Sequence, residues 1–552
     1  MKALRSALWL LSLPLSAHPL AIRDVTVIPL STPGTLTHRT VLVDDGRIVE
    51  IGAAAKVAVP PDAQVVDGVG LYLVPGLADM HVHLTSPEEL PVYLSYGVTT
   101  VLNMRGAPEV LRWRDDVRSG RLLGPTIHTV GPTTDGDPPR NRRFVAVGSE
   151  ADARALVGQQ KAEGYDAVKV YDKHRVATYA ALLDEAKRQD MAVLGHVAKE
   201  VGTERALELG QANVAHGEEL FFTFFGGKPD EPKIPDLVRR FRESGASVTM
   251  NMAAKLETIA ELDDLEALLG NEDGRALTAI AYHQWMRANN PYVNRPKLAE
   301  FREKNLAMYR FMLRLTSALH GGGVPILLGT DASWAGHYPG RSVHDELRAF
   351  VEAGLSPFDA LSIAARAAGE FARRRLHGGE VFGVVAPGAR ADLVLLRRNP
   401  LDDIANASSV AAVVVRGRYV TGQDLRQMIA GASASHAAER ALVDRFDASI
   451  KSGRLADAKK AFAEMGPRRL LDLNVLIFDV LTTAEHDAAG AVWIGDVATR
   501  LFPEEFASWN ALGFACEKAD RPCAAEAYRR SVGLQPFNAL GQAGLARVER
   551  TR

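Results

Sequence analysis

Four histidines, one lysine and one aspartate are the residues whose types and positions could build a metal site in this chain. Each stands at or near the carboxyl end of a short apolar run, and parallel strands bring such ends to one edge of a sheet. Imidazole nitrogens and carboxylate oxygens are ligands of zinc and similar divalent ions. The six candidates are, in chain order, His81, His83, Lys169, His196, His216 and Asp331.

His81 and His83 form a His-x-His pair behind the apolar run VPGLADM. Residues two apart in a strand leave the same face, so both rings can bind one ion. A single strand-end histidine is more often a polar residue satisfied at the top of a core. The pair gains meaning because ligand types recur at later strand ends. Asp79 shares its parity, and we expect this carboxylate to orient one of the imidazoles.

Lys169 lies in the run DAVKVY, where alternation points Ala167, Lys169 and Tyr171 to one side. An ammonium group beside two cations would be strongly repelled. A neutral amine that has captured CO2 would instead be a carbamate, with one oxygen for each of two metal ions. The alternative is an unmodified lysine that extends to solvent.

The elements that must position these residues alternate between short buried strands and amphipathic helices. Eight strand candidates cover residues 72–81, 98–103, 125–130, 167–171, 192–196, 213–216, 247–251 and 325–331. Eight such units predict an α/β fold, a (β/α)8 TIM barrel with its chemistry at the carboxyl ends of the strands. A doubly wound open sheet is the alternative. It would not by itself bring these ligands to one point.

Short strands flank the repeated units on both sides, so we expect the two flanks to meet in one sheet or sandwich. Residues 253–320 form a long helical excursion, expected to be either a wall of the site or scaffold. The predicted domains are a signal peptide (1–21), an N-terminal β-sandwich segment (22–70), the barrel (71–378), a second segment of the same β-sandwich (379–422) and a helical tetratricopeptide-like region (423–552).

The C-terminal region carries Trp509, Leu512 and Gly513, then Ala524, Tyr528 and Pro536, at a spacing similar to one tetratricopeptide unit. Its helices are expected to pack on the barrel or on a sister subunit in a homo-oligomer. Binding of a protein partner is the alternative.

The formal charge of -2 over 552 residues argues against nucleic-acid binding, which requires a basic excess. Residues 1–15 read MKALRSALWLLSLPL, a basic start followed by an apolar core, and are typical of a secretory signal peptide. We therefore expect a periplasmic or secreted protein, with no transmembrane segment after cleavage near Ala17 or Ala21. Cys516 and Cys523 would form one disulfide in that compartment, or remain two buried thiols.

The runs PGLADMHVHL, GVTTVLNMRG, DAVKVY, LLGTDAS, HDELRAFVEAGLSPFDAL and APGARADLVLL resemble the amidohydrolase superfamily. They are most similar to its imidazolonepropionase-like and Xaa-Pro dipeptidase (prolidase-like) branch with a carboxylated lysine. The resemblance covers residues 25–420. It implies two divalent ions, expected to be zinc: His81, His83 and Asp331 would bind one ion, His196 and His216 the other, with carboxylated Lys169 as the bridge.

The resemblance also implies a hydrolase of amide-type C–N bonds in a small molecule such as a dipeptide, an N-acyl amino acid or a cyclic amide. A metal-bridging hydroxide would attack, with Asp331 as proton shuttle. Arg105, Tyr171 and His337 are the candidate substrate residues, Arg105 first because a guanidinium can pair with a carboxylate. The alternatives are a mononuclear deaminase or imidazolonepropionase type, an esterase or lactonase on the same site, and a non-catalytic scaffold that binds partners through its helical tail.

Overall fold

The computed structural model describes residues 19–550 except 141–143, 271–292, 294–296, 333–335, 453, 455, 458–459, 462–487 and 537. Over these residues the protein is an α/β fold with two all-parallel sheets, a largely antiparallel sheet built from both flanks, and a helical C-terminal region.

The flanking sheet joins segments that lie more than 300 residues apart in the chain. Its strands are β1 (Leu20–Val27), β2 (Leu36–Asp44), β3 (Arg47–Ala53), β4 (Gln64–Asp67), β5 (Tyr72–Pro75), β16 (Leu393–Leu396), β17 (Val410–Val415) and β18 (Arg418–Thr421). They are ordered β18-β17-β16-β5-β1-β2-β3, with β4 paired to β1. The core of this sheet alternates along β1, where Ile22, Val25 and Val27 pack with residues such as Leu393 and Leu395.

The parallel strands carry the predicted ligands. They are β6 (Leu77–Val82), β7 (Val98–Asn103), β8 (Thr126–Thr129), β9 (Thr134–Gly136), β10 (Val145–Val147), β11 (Ala167–Val170), β12 (Ala192–Gly195), β13 (Asn213–Ala215), β14 (Ser247–Thr249) and β15 (Ile326–Leu327). These strands form two sheets, ordered β6-β7-β8 and β10-β9-β11-β12-β13-β14-β15. Isolated parallel bridges link the sheets on both sides, Val130 with Ala167 and Val82 with Ala332.

The first predicted strand, residues 72–81, is wrong as a single element. It divides at Gly76 into β5, in the flanking sheet, and β6, in the parallel sheet. The Gly76 amide donates to the Asp392 carbonyl of the flank, and a Cβ at this position would lie 2.0 Å from Thr99 Oγ1. The chain therefore changes sheets where two layers approach too closely for a side chain.

Helices follow the parallel strands, and local signals set their ends. The helix over residues 150–163 begins with a capping box between Ser149 and Asp152 and ends at Gly164, which has a φ of 89°. The helices as far as the second flank are α1 (Leu90–Ser95), α2 (Pro108–Arg118), α3 (Glu150–Glu163), α4 (Val176–Arg188), α5 (Gly202–Leu209), α6 (Gly217–Thr223), α7 (Ile234–Ser244), α8 (Met252–Gly270), α9 (Leu298–Gly321), α10 (Ser342–Glu352), α11 (Pro357–Ser362) and α12 (Ala368–Arg375).

Two separate cores show which way the strand residues face. Ala167 packs with Ala78 and Leu194 in a core between the parallel strands. Val168 and Val170 join the larger core that contains the surrounding helices. Lys169, next to Val168, has the parity of Ala167, so its side chain enters the space between the strands.

The helical excursion after β14 is described at its two ends, α8 and α9. In α9, Phe311 is fully buried and packs edge-on against Phe221 and Phe225, which lie in and just after α6. This part of the excursion is therefore scaffold. The middle of the excursion, which includes Tyr282 and Trp285, lies outside the described residues.

The C-terminal region is helical where it is described, as its sequence pattern predicts. Its helices are α13 (Gly422–Lys451), α14 (Ala488–Leu501), α15 (Phe506–Lys518), α16 (Cys523–Leu534) and α17 (Ala539–Arg550). A disulfide joins Cys516 of α15 to Cys523 of α16. Gly513 allows close approach of these helices, because a Cβ there would lie 2.7 Å from the Tyr528 ring. Among the described helices, none has the length and apolar character needed to cross a membrane.

Candidate metal centre

The six predicted ligands come together at the carboxyl ends of the parallel strands. His81 is the next-to-last residue of β6, and His83 follows that strand directly. Lys169 lies in β11, and His196 and His216 follow β12 and β13 directly. Asp331 follows β15 and is held by its backbone amide, which donates to the His81 carbonyl at 2.8 Å. Six residues spread over 250 positions of the chain therefore share one place in the fold.

Distances between the side chains connect all six groups. Oδ1 of Asp331 lies 3.2 Å from Nε2 of His81 and 2.8 Å from Nε2 of His83. The Lys169 amine lies 3.2 Å from Nε2 of His81. The His216 ring centroid lies 4.6 Å from that of His81 and 4.7 Å from that of His196.

Two of these residues have backbone conformations that are unusual for their type. His216 has a φ of 65° and a ψ of 108°, and Asp331 has a φ of 63°. Non-glycine residues at positive φ are uncommon, and such strain concentrates at functional sites. The His216 amide is held by a hydrogen bond to Oδ1 of Asn251. The fold thus fixes these two side chains at a conformational cost.

Electrostatics keep the imidazoles neutral. Burial lowers the pKa of His81 and of His196 to about 3, that of His83 to about 4, and that of His216 well below its usual range. Burial opposes ionisation of Asp331, but hydrogen bonds with His81 and His83 hold its pKa well below the usual range. At neutral pH the group therefore presents imidazole lone pairs around a carboxylate.

Burial also lowers the pKa of Lys169, to about 8, although the carboxylate of Asp331 raises it. About a tenth of this amine is then the free base at pH 7, and more at higher pH. The Nδ1 atoms of His81 and His83 make no hydrogen bond within the described part of the chain. Neutral imidazoles, an ionised carboxylate and a partly neutral amine are the protonation states that metal ligation requires. The residues present therefore fit a divalent cation.

The side chain of His196 is oriented by a carboxyl group that the sequence analysis did not identify. Oε1 of Glu219, in α6, lies 2.9 Å from Nδ1 of His196. This arrangement leaves Nε2 of His196 for the site and fixes the ring orientation. Its signal in the sequence is the acidic pair that follows His216 in AHGEEL.

The predicted role of Asp79 is wrong. Its carboxylate accepts hydrogen bonds from the Thr330 hydroxyl at 2.6 Å, the Thr330 amide at 3.0 Å and the His81 amide at 3.3 Å. It therefore fixes the backbone at the ends of β6 and of the segment after β15, whereas the His81 and His83 rings are oriented by other contacts.

The three candidate substrate residues all lie close to the ligands. The positive charge of Arg105 lowers the pKa values of His83 and Lys169. The Tyr171 ring centroid is 4.0 Å from that of His196. The His337 ring lies beside the backbone of Asp331.

The model of the amidohydrolase family matches residues 72–420, the part of the chain that carries every candidate ligand. The chain belongs to the amidohydrolase family. Amidohydrolases typically bind metal, and ligand atoms of His81, His216 and Asp331 lie within 4.8 Å of one another. The resemblance predicted from the sequence is therefore confirmed.

Solved amidohydrolase structures share this fold. A bottromycin amidohydrolase superposes with a TM-score of 0.62 and 23% identity, over 76% of this chain and 90% of that one. A Xaa-Pro dipeptidase with methionine bound in its active site gives 0.56 and 19%, over 73% and 100%.

Matches to curated relatives span only 10% to 33% of the relatives' own lengths. The imidazolonepropionase of Idiomarina loihiensis, for example, is 43% identical over 51 residues, which are 9% of this chain and 12% of that enzyme.

Proposed function

We propose that this amidohydrolase is an exported, metal-dependent hydrolase of amide-type C–N bonds. Its substrate would be a dipeptide, an N-acyl amino acid or a cyclic amide. The observation that carries the proposal is the convergence of four neutral imidazoles, a partly neutral lysine and an ionised aspartate at the ends of parallel strands. The prolidase and dipeptidase folds among its structural neighbours support the choice of bond.

The architecture in this proposal is a closed (β/α)8 barrel made of β6, β7, β8 and β11 to β15. Hydrogen bonds across both joins support closure. The Met80 amide donates to the Leu328 carbonyl on one side, and the Gly131 amide to the Ala167 carbonyl on the other. A closed ring would place the ligands around one mouth.

In the two-metal form of the proposal, His81, His83 and Asp331 would hold one zinc ion and His196 and His216 the other, and carboxylated Lys169 would be a ligand shared by both. Such ions supply Lewis acidity toward the carbonyl and lower the pKa of water. The chain's own contribution is then orientation and proton transfer. Asp331, ionised and held by His81 and His83, would accept a proton on its carboxylate and deliver it to the departing amine.

A single-metal deaminase or imidazolonepropionase type is the second candidate. The compact set His81, His216 and Asp331 favours it, because these three alone have ligand atoms within 4.8 Å of one another among the described residues. Lys169 would then stay an unmodified amine. An esterase or lactonase would use the same groups on a different bond, and a non-catalytic scaffold would use none of them.

One experiment separates these candidates. The purified protein is tested against Xaa-Pro and other dipeptides, N-acyl amino acids, lactams, lactones and purines, with and without a chelator, and its metal content is measured. The proposal is supported if the protein cleaves an amide, loses this activity with the chelator and contains close to two metal ions per chain. One ion per chain and deaminase activity support the second candidate. Asp331→Asn should abolish turnover, whereas Asp115→Asn, at a 57% exposed side chain, should not.

Export is supported by the disulfide between Cys516 and Cys523, since such bonds persist in oxidising compartments. The predicted signal peptide over residues 1–21 falls almost wholly outside the described residues. Alkylation of cells before lysis tests the proposal: the protein made with residues 1–21 should label at no cysteine until reduced, and a form lacking them should label at both.

A sister subunit or a protein partner at residues 423–552 is also proposed, with a tetratricopeptide-like helix pair at α15 and α16. Light scattering of the purified protein, compared with a form in which surface residues of α17 are changed, tests self-association.

A further inference from the structure

His337 is a buried imidazole in the metal centre that the fold leaves without good hydrogen bonds. It is 4% exposed, and its ring lies beside the backbone of Asp331 and of Ala254, the latter in the first turn of α8. Neither ring nitrogen makes a well-formed hydrogen bond within the described residues. The backbone groups of Asp331 and Ala254 are close enough for weak hydrogen bonds to the ring. A neutral imidazole has one N–H and can donate to only one of them, so the ring keeps hydrogen-bonding capacity for a ligand.

The next residue, Tyr338, fixes this segment from the other side. It is 2% exposed and belongs to one buried cluster with Val92 of α1 and Ala432 of α13, with Tyr96 packed against that cluster. Its backbone amide donates to the Ser342 hydroxyl at 2.9 Å. Adjacent residues thus face the metal centre and the C-terminal helix.

Helix α13 and the segment after Tyr338 both make hydrogen bonds to the C-terminal end of α1. The Ser95 hydroxyl donates to the Leu425 carbonyl at 3.1 Å. Leu425 and Ala432 are seven positions apart, or two helical turns, and both are buried. On the other side Nε2 of His344 lies 3.0 Å from the Tyr96 carbonyl. The C-terminal helix is therefore built into the same packing unit as the site segment.

We propose that α13 helps to form the active site by packing: Ala432 fixes the position of Tyr338, and Tyr338 in turn fixes its neighbour His337. In this position the His337 imidazole hydrogen-bonds to an oxygen of the bound amide substrate. His337 is then a binding residue, and Tyr338 and Ala432 are positioning residues. The substrate contact depends on the proposed function, whereas the anchoring of the segment does not.

The test compares Ala432→Leu with Ala430→Leu, the same change at an exposed position of the same helix. Hydrogen exchange is followed in peptides covering residues 336–344, and kinetics on an N-acyl amino acid or dipeptide that the wild type cleaves. Ala432→Leu should speed exchange at least tenfold and raise KM at least tenfold. Ala430→Leu should change neither. His337→Ala should raise KM by as much, with kcat within threefold and exchange of residues 338–344 unchanged.

The anchoring of residues 336–344 by α13 would be overturned if Ala432→Leu showed the wild-type rate of hydrogen exchange there, or if Ala432→Leu and Ala430→Leu changed that rate equally. Wild-type KM in His337→Ala would overturn the substrate contact. If Ala432→Leu does not fold, Ala432→Gly and Ala430→Gly replace the pair, because both lose the same helix propensity. A wild type that cleaves no amide overturns the proposed function and the substrate contact together, and the exchange measurement still decides the anchoring.

Discussion

Nδ1 of His196 lies 2.9 Å from Oε1 of Glu219, so one candidate ligand is oriented by a carboxylate from the helix that follows the next strand. Such a partner fixes the tautomer and raises the basicity of a ligating imidazole. Glu219→Gln keeps the shape but replaces the carboxyl group with an amide, and we expect metal affinity to fall about 10- to 100-fold.

Competition with a chromophoric zinc chelator measures that affinity. Glu208→Gln is the matched control, since Glu208 pairs with Arg205 at the surface and is 55% exposed. Equal affinities of the two variants would contradict a role of Glu219 in holding His196.

Lys169 should be carboxylated when metal is restored to the metal-free protein. Burial lowers the pKa of its amine to about 8, so the free base that reacts with CO2 becomes the main form as the pH rises past that value. At constant dissolved CO2, reconstitution with zinc should therefore be faster at pH 8.5 than at pH 6.5, and labelled CO2 should give a carbamate signal in the carbon NMR spectrum.

The signal should vanish in Lys169→Gln and persist in Lys173→Gln, which changes an exposed lysine nearby. Full activity without a carbamate would remove the bridge and favour the single-metal form.

The positions of the six candidate ligands could be predicted because each depends on local patterns, an apolar run and a polar residue at its end. Glu219 could not, because its role depends on His196, a residue 23 positions away on a different strand end. The division of the first strand at Gly76 could not be predicted either, because residues 72–82 are mostly apolar and read as one strand. The two strands are separated by contacts of Gly76 with Thr99 and Asp392, which lie elsewhere in the chain. Tyr338 and Ala432 share one buried cluster with Val92, although nothing in the sequence around either residue indicates the other.

Asp392 should be essential for stability where the flanking sheet meets the parallel strands. Its Oδ2 accepts from Nε of Arg390 at 2.7 Å, its Oδ1 from the Arg416 amide at 2.8 Å, and it is 2% exposed. Asp392→Ala leaves the guanidinium of Arg390 without its buried carboxylate, with only the half-exposed Glu380 as a charged partner, and we expect a loss of about 3–5 kcal/mol.

Glu380 also pairs with Arg390 but is 47% exposed. Glu380→Gln should cost less than about 1 kcal/mol. Urea unfolding of both variants compares them, and a similar loss in each would mean that the buried pair is not the source of the stability.

Glu346 should make the protein less stable as the pH rises. It is fully buried in α10, its Oε2 accepts from the Ala253 amide at 2.6 Å, and burial raises its pKa to about 8. In the unfolded chain the same group titrates near 4.5. Between these values the folded state keeps a proton that the unfolded state has released, so stability falls with rising pH, by up to about 1.4 kcal/mol per unit. The stabilisation that comes from protonated Glu346 is fully present below about pH 4.5 and is lost by about pH 8.

Glu346→Gln removes the titration and keeps an oxygen for the Ala253 amide, so the free energy of unfolding should vary less between pH 5 and pH 8 than in the wild type. Urea unfolding at four pH values measures this difference. Glu303→Gln, at a 69% exposed side chain, should follow the wild-type curve. Parallel curves for Glu346→Gln and the wild type would mean that Glu346 is already ionised in the folded protein, with Oε1 satisfied by water.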